Sequence, residues 1–311
     1  TVAADNSKAW VTLQENNAIA EINLTNNTIT AIRGLGTKDN SQAGNGFDAS
    51  DNIPEVLMVN WPTKMYYMPD AIGSYTVNGT TYLVSANEGD EREYQALNER
   101  TTVGAVNLDS ARFPHAAMLK ENHALGRFRI TNLNGDHDGD GDYDDVINVG
   151  SRSFSIWNAN TGAQVFDSKN QLELITLLDP QASAIFNADH ESNTRKNRSR
   201  SKGPEPEGMT LATINGRTFA FVGMERVGGI VAYDVTNPMN PVYNGYLNPR
   251  STTAVAGDRG PETMTYIAPN QSADGQAYLV VANEISGTLS IIRLNFNIPP
   301  ARYNLQILHA S

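Results

Sequence analysis

The sequence of 311 residues contains no cysteine, which excludes a disulfide framework and every thiolate metal site. No stretch approaches the roughly 18 consecutive apolar residues of a membrane span. Positive charge is scarce: 23 Lys and Arg against 34 Asp and Glu give a formal net charge of -11. Such a surface repels nucleic-acid phosphates and anionic lipid, so cations are the favoured small partners. Also missing are a Gly-Lys-Ser phosphate loop, a Gly-x-Ser-x-Gly elbow and a His-Glu-x-x-His zinc helix. The five histidines, at 115, 123, 137, 190 and 309, are scattered, and a lone His in a polar stretch such as Asp189-His190-Glu191 is more often solvated than a ligand. The start, Thr1-Val2-Ala3-Ala4, has neither an initiator Met nor a signal peptide and reads as a processed or trimmed end.

Long amphipathic helices are absent from the pattern. Short alternating runs of Val, Ile, Tyr and Thr, punctuated by Asn-Gly, Gly-Gly and Ser-Gly, make the chain all-β. The runs repeat. Tyr82-Leu83-Val84-Ser85-Ala86-Asn87-Glu88, Phe219-Ala220-Phe221-Val222-Gly223-Met224-Glu225 and Tyr278-Leu279-Val280-Val281-Ala282-Asn283-Glu284 each open a strand with an aromatic and end it in Glu, and Trp10-Val11-Thr12-Leu13-Gln14-Glu15 is a shorter copy. Upstream stand Pro69-Asp70, Pro206-Glu207 and Pro261-Glu262, at acid-to-Glu spacings of 18, 18 and 22 residues. Strand, loop, strand, tight turn and strand describe a β-propeller blade, which buries its faces only against neighbouring blades. About five or more four-stranded blades are expected, near 8–33, 70–108, 124–178, 205–247 and 261–296, in a ring that is small or incomplete. A β-sandwich or β-helix is the alternative. The domain division is 1–298 for the propeller and 299–311 for a linker and the first strand of a following domain.

The densest local signal is Asp136-His137-Asp138-Gly139-Asp140-Gly141-Asp142-Tyr143-Asp144-Asp145, in which acids alternate with small residues. Oxygen ligands at positions 1, 3, 5 and 9 with Gly at 6 match a calcium loop in which Asp136, Asp138, Asp140 and Asp144 are ligands and Asp142 or Asp145 completes the shell. Position 12 is Ile147 instead of the Glu of an EF-hand, and the flanks read as strands. The alternative is a solvated acidic turn. The repeat acids Asp70, Glu88, Glu207, Glu225, Glu262 and Glu284, with Glu15, form a second set. In a propeller, residues equivalent from blade to blade ring the central channel, and a ring of carboxylates attracts metal ions; as isolated residues each Glu instead caps its own hairpin.

Arg92, Arg226 and Arg152 fall near these acids in sequence, and Arg or Lys beside metal-bound carboxylates is what phosphate recognition needs. Ordinary salt bridges explain the same arginines. The one basic run, residues 193–203 with Arg195, Lys196, Arg198, Arg200 and Lys202, reads by default as a solvated, protease-sensitive loop. The sharper reading is an anion-gathering loop at the channel mouth. Sequons at Asn23, Asn26, Asn78 and Asn197 matter only in a source that glycosylates.

Taken together, Pro69-Asp70-Ala71-Ile72, Ala86-Asn87-Glu88-Gly89-Asp90, the 136–145 loop with Arg152-Ser153-Phe154-Ser155-Ile156-Trp157, Lys202-Gly203-Pro204-Glu205-Pro206-Glu207-Gly208 and Val280-Val281-Ala282-Asn283-Glu284 resemble the choice-of-anchor I domain. That family consists of alkaline-phosphatase-like extracellular propellers similar to mesenchyme-specific cell-surface glycoproteins, with a more distant likeness to calcium-dependent propeller phytases. The resemblance implies a secreted or cell-surface location. After Pro299-Pro300, the segment from Tyr303 to Ser311 resembles the first strand of a 5′-nucleotidase-type metallophosphoesterase. Two functions follow as expectations. In the first, the propeller hydrolyses phosphomonoesters: Asp70, Glu88, Glu262 and Glu284 hold calcium, Glu207 and Glu225 take part in catalysis, and Arg92, Arg226 and Lys202 grip phosphate. In the second, it is a non-catalytic, calcium-stabilised binding or scaffolding domain of a larger surface phosphoesterase or adhesion protein.

Overall fold

A computed structural model describes residues 1–295 and the strand Asn304–Ile307. The chain is all-β, with α-helices only at Ala116–Leu119 and Gln171–Leu178 among the described residues, beside a few single-turn 3-10 helices. Four antiparallel sheets follow one another along the sequence. The first has three strands, Lys8–Leu13, Ala18–Asn23 and Thr28–Gly34. The second is Ile72–Val77, Thr80–Asn87, Ser153–Asn158 and Gln164–Asp167. The third is Pro206–Ile214, Arg217–Met224, Ile230–Asp234 and Val242–Leu247. The fourth is Pro261–Ile267, Ala277–Asn283, Thr288–Asn295 and Asn304–Ile307. The other residues of the expected 299–311 segment lie outside the described ones.

Period-two side-chain alternation makes each inner sheet apolar on both faces. On the third sheet, Ala220, Val222, Val231 and Tyr233 pack with Val84, Ala86, Phe154 and Ile156 of the second. The intervening residues Phe219, Phe221, Ile230 and Ala232 pack with Leu279, Val281, Ile292 and Leu294 of the fourth. Trp10 and Ile19 of the first sheet meet Leu83 and Trp157 of the second. The sheets therefore stack in chain order, each burying its faces on its neighbours as repeat units do.

The segmentation expected from the sequence needs one correction. Segments 70–108 and 124–178 are not separate blades: each supplies two strands to one sheet, because Ser153–Asn158 pairs directly with Thr80–Asn87. A Ser85, Asn87, Ser153 and Ser155 side-chain ladder and a Trp157 Nε1 hydrogen bond to Ser85 Oγ (2.9 Å) lock that pairing. The residues between form an insertion with its own core of Phe47, Met65, Val103, Phe128, Ile130 and Val146, shared with the segment that links the first two sheets.

Candidate functional site

The repeat acids stand at one end of the stack because of where the strands start and stop. Glu88, Glu225 and Glu284 directly follow the strands ending at Asn87, Met224 and Asn283, while Glu207 and Glu262 are the second residues of the strands antiparallel to two of them. The ladder register slips between Pro206 and Met209 and between Pro261 and Thr263. A bulge at a strand end re-aims side chains, and these two fall on Glu207 and Glu262. Gly208 permits the approach of the sheets there: a Cβ on it would lie 2.5 Å from the Glu262 carbonyl oxygen. Gly89, at φ +82°, does the same behind Glu88, where a Cβ would meet Gly150 at 2.2 Å.

The cluster divides into two halves. On one side Glu205, fully buried, accepts from Arg198 Nε at 2.9 Å and pairs with Lys202 Nζ and Arg226 Nε, each at 3.1 Å. Its backbone is left-handed, φ 52°, a conformation that a non-glycine residue keeps only when its surroundings enforce it. Burial alone would raise this carboxyl, but Lys202, Arg198 and Arg226 overrule it and hold Glu205 well below the ordinary range. Lys202 and Arg226 are correspondingly held charged, burial opposing and the carboxylates prevailing. Lys202 also reaches Glu88 Oε1 at 2.9 Å and donates to the Gly89 carbonyl. Arg226 Nε pairs with Glu225 Oε2 at 3.1 Å, and Glu225 Oε1 lies 2.8 Å from His190 Nδ1.

On the other side stand Asp70, Glu207 and Glu262. Asp70, Glu88 and Glu207 each bring a carboxylate oxygen within 4.8 Å of the other two. Glu207 is only 9% exposed, and its Oε2 has no hydrogen-bond partner. Burial, then the charges of Glu225, Glu88 and Glu262, push Glu207 up to about 11. Burial likewise raises Asp70 and Glu262, and carries Glu88 to about 7 in spite of Lys202. Glu284 is exposed and joins Glu225 and His190 in a separate grouping.

Of the residues expected to grip phosphate, Lys202 and Arg226 are in the cluster, each closed on carboxylates. Arg92 instead forms a two-point ion pair with the buried Glu99, Nε to Oε2 at 2.8 Å and Nη2 to Oε1 at 3.2 Å. Arg152 is buried on Glu173 (2.8 Å) and on backbone carbonyls of Asp48, Ser199 and Ser201. The basic run is neither a solvated loop nor an anion trap. Arg195 caps the Ser183 and Pro54 carbonyls, Lys196 pairs with the buried Asp48 at 3.3 Å, Arg200 pairs with Asp51 at 2.8 Å, and Arg198 and Lys202 close on Glu205. Its cations are engaged by the protein, four of them on carboxylates and Arg195 on backbone carbonyls, and a buried cation without such partners would be costly. Sequence reasoning missed Glu205, Gln14, whose Nε2 donates to Glu88 Oε2 at 2.7 Å, and the place of His190. The density of cations immediately before Glu205 was the available signal for it.

The 136–145 loop lies at the surface of the insertion. Asp136, Asp138 and Asp144 hold carboxylate oxygens within 4.8 Å of one another. Asp136 accepts the Gly139 and Gly141 amides at 2.7 and 3.1 Å, while Asp138 and Asp140 each accept the amide two residues on. Gly139 and Gly141 take positive φ, as the alternating pattern requires. Asp142 is exposed beside Asp140. Asp145 is bound by Lys64 at 2.7 Å and His137 at 2.8 Å.

Gigasin-3a of Magallana gigas is 29% identical over 219 residues, which is 64% of this chain and 76% of that protein. A hypothetical selenium-binding protein from Sulfolobus tokodaii superposes with a TM-score of 0.35 at 12% identity, covering 97% of this chain and 63% of that one. The choice-of-anchor I domain model matches residues 1–238, well over half of the sequence. The chain belongs to the choice-of-anchor I domain family.

Proposed function

We propose that this chain is a calcium-binding module of an extracellular or cell-surface protein, its sheets arranged as propeller blades and its role that of a binding scaffold. The carrying observation is the pairing at the clustered end: Lys202 and Arg226 are already closed on Glu205, Glu88 and Glu225, which supports a structural use of the cations over a phosphate grip. The location is supported by family membership, and the blade reading by four sheets stacked in chain order. Calcium in the 136–145 loop is supported by the convergence of Asp136, Asp138 and Asp144. Bound there, the ion supplies positive charge to these carboxylates, of which, among the described residues, only Asp144 has a cation of its own, Arg112 Nε at 3.1 Å. Asp140 and Asp142 are the remaining candidates for its shell, whereas Asp145 is engaged by Lys64 and His137.

Phosphomonoester hydrolysis is the second reading, favoured by Lys202 and Arg226 standing among the same carboxylates as Glu207. Turnover of an aryl phosphate in calcium, lost on adding chelator, supports hydrolysis; no turnover together with a chelator-sensitive melting temperature supports the scaffold. An unchanged melt in metal-stripped protein would sink the calcium reading.

A further inference from the structure

Within the cluster, Glu207 is the group left with an unanswered oxygen: its carboxyl shares hydrogen bonds with those of Asp70 and Glu262, but no N–H or cation among the described residues meets it. Its Oε2 is buried and bonded to nothing among the described residues, and an unmet buried acceptor carries the full cost of its desolvation. A water molecule would answer the missing hydrogen bond, but the place gathers four carboxyl groups, Asp70, Glu88, Glu207 and Glu262, beside one cation, Lys202, which is itself shared with Glu205. The three groups whose oxygens converge come from different parts of the stack. Asp70 and Glu88 flank strands of the second sheet, and Glu207 opens the third, with Glu262 of the fourth beside it.

We infer that Asp70, Glu88 and Glu207 hold one hard divalent cation, calcium in class, at the clustered end, with Glu262 as the adjoining carboxylate. An all-oxygen donor set with no thiolate or imidazole selects calcium, magnesium or manganese over zinc and copper. The ion joins the second and third sheets directly and draws in the fourth, so it fastens blades to one another. The site deepens the calcium-scaffold reading but is separate from the 136–145 loop, and does not depend on that loop binding calcium. The histidine grouping of His190, Glu225 and Glu284 is not part of it, because Arg226 Nη1 lies 2.8 Å from the His190 ring and holds that position with a positive charge.

The test is calorimetric titration of calcium into the full chain and into a variant with the loop disabled, Asp136→Asn with Asp138→Asn. The loop variant is expected to keep one calcium, and adding Glu207→Gln to it is expected to weaken that calcium by at least about tenfold, since affinity follows the number of charged ligands. Should the Gln variant fail to melt cooperatively, Asp70→Asn carries the same expectation. No calcium bound by the loop variant, or unchanged affinity after Glu207→Gln or Asp70→Asn, overturns the site. Conversely, Glu207→Gln in an intact loop reports on the loop alone, so failure of the loop reading and failure of this one give different stoichiometries.

Discussion

Glu205 and Glu207 are separated by one residue, and both are buried at the same end of the sheets, yet the protein treats them in opposite ways. Glu205 is gripped by Arg198, Lys202 and Arg226; Glu207 meets other carboxyls and leaves an oxygen unpaired. A buried carboxylate is tolerated when its counter-charge is built in, and otherwise stays protonated or takes up a counter-ion from solution. The Glu205 half of the cluster is therefore complete as folded. The Glu207 half has no built-in counter-charge and needs either a proton or an ion from solution.

The contrast breaks most visibly at Glu205. Glu205→Gln removes the carboxylate that three cations share, and breaking a buried ion network in this way costs about 3–5 kcal/mol; a melting temperature within a degree or two of the parent would contradict the pairing. The same residue sets a pH dependence. Its folded value lies below the ordinary 4.5, so its stabilisation is present above that value and fades as acidification carries the pH down through the folded one. Acid melts should show Glu205→Gln and parent converging as pH falls below 4.5; a constant gap would contradict this. On the other half the expected sign reverses. In calcium-free protein Glu207→Gln relieves carboxylate repulsion and supplies an amide donor, so stability should rise by about 1–3 kcal/mol, and a loss of that size would mean Glu207 is satisfied after all. In calcium at a hundredfold over its dissociation constant the parent gains about 2.7 kcal/mol, and a tenfold weaker Gln variant should lose about half of that gain. A last substitution is Arg92→Gln: it leaves the buried Glu99 with Thr131 as its remaining side-chain partner, so it should cost about 1–3 kcal/mol, and aryl phosphate turnover, where any exists, should not depend on it.

Much of this was legible in the sequence. Strands ending in Glu88, Glu225 and Glu284, and the acids Asp70, Glu207 and Glu262 at nearly constant spacing, marked repeated units and put their acids at one end, because a repeated hairpin repeats its ends. What could not be read was pairing across distance. Alternation in Ser153-Phe154-Ser155-Ile156-Trp157 announces a strand without naming Thr80–Asn87 as its partner, so one sheet with an insertion looked like two blades. The run from Arg195 to Lys202 looked solvated for a related reason: Asp48, Asp51, Glu88 and Asp189, which neutralise it, are spread over some 140 residues of sequence. Charge density identifies a segment that needs partners, and only the fold says whether they are water or protein.

The most direct measurement is anomalous diffraction from crystals grown in calcium or manganese. The account predicts a cation peak about 2.3–2.6 Å from oxygens of Asp70, Glu88 and Glu207, with Lys202 still on Glu205. Density at those carboxylates that refines only as water, in crystals showing a cation in the 136–145 loop, would contradict it.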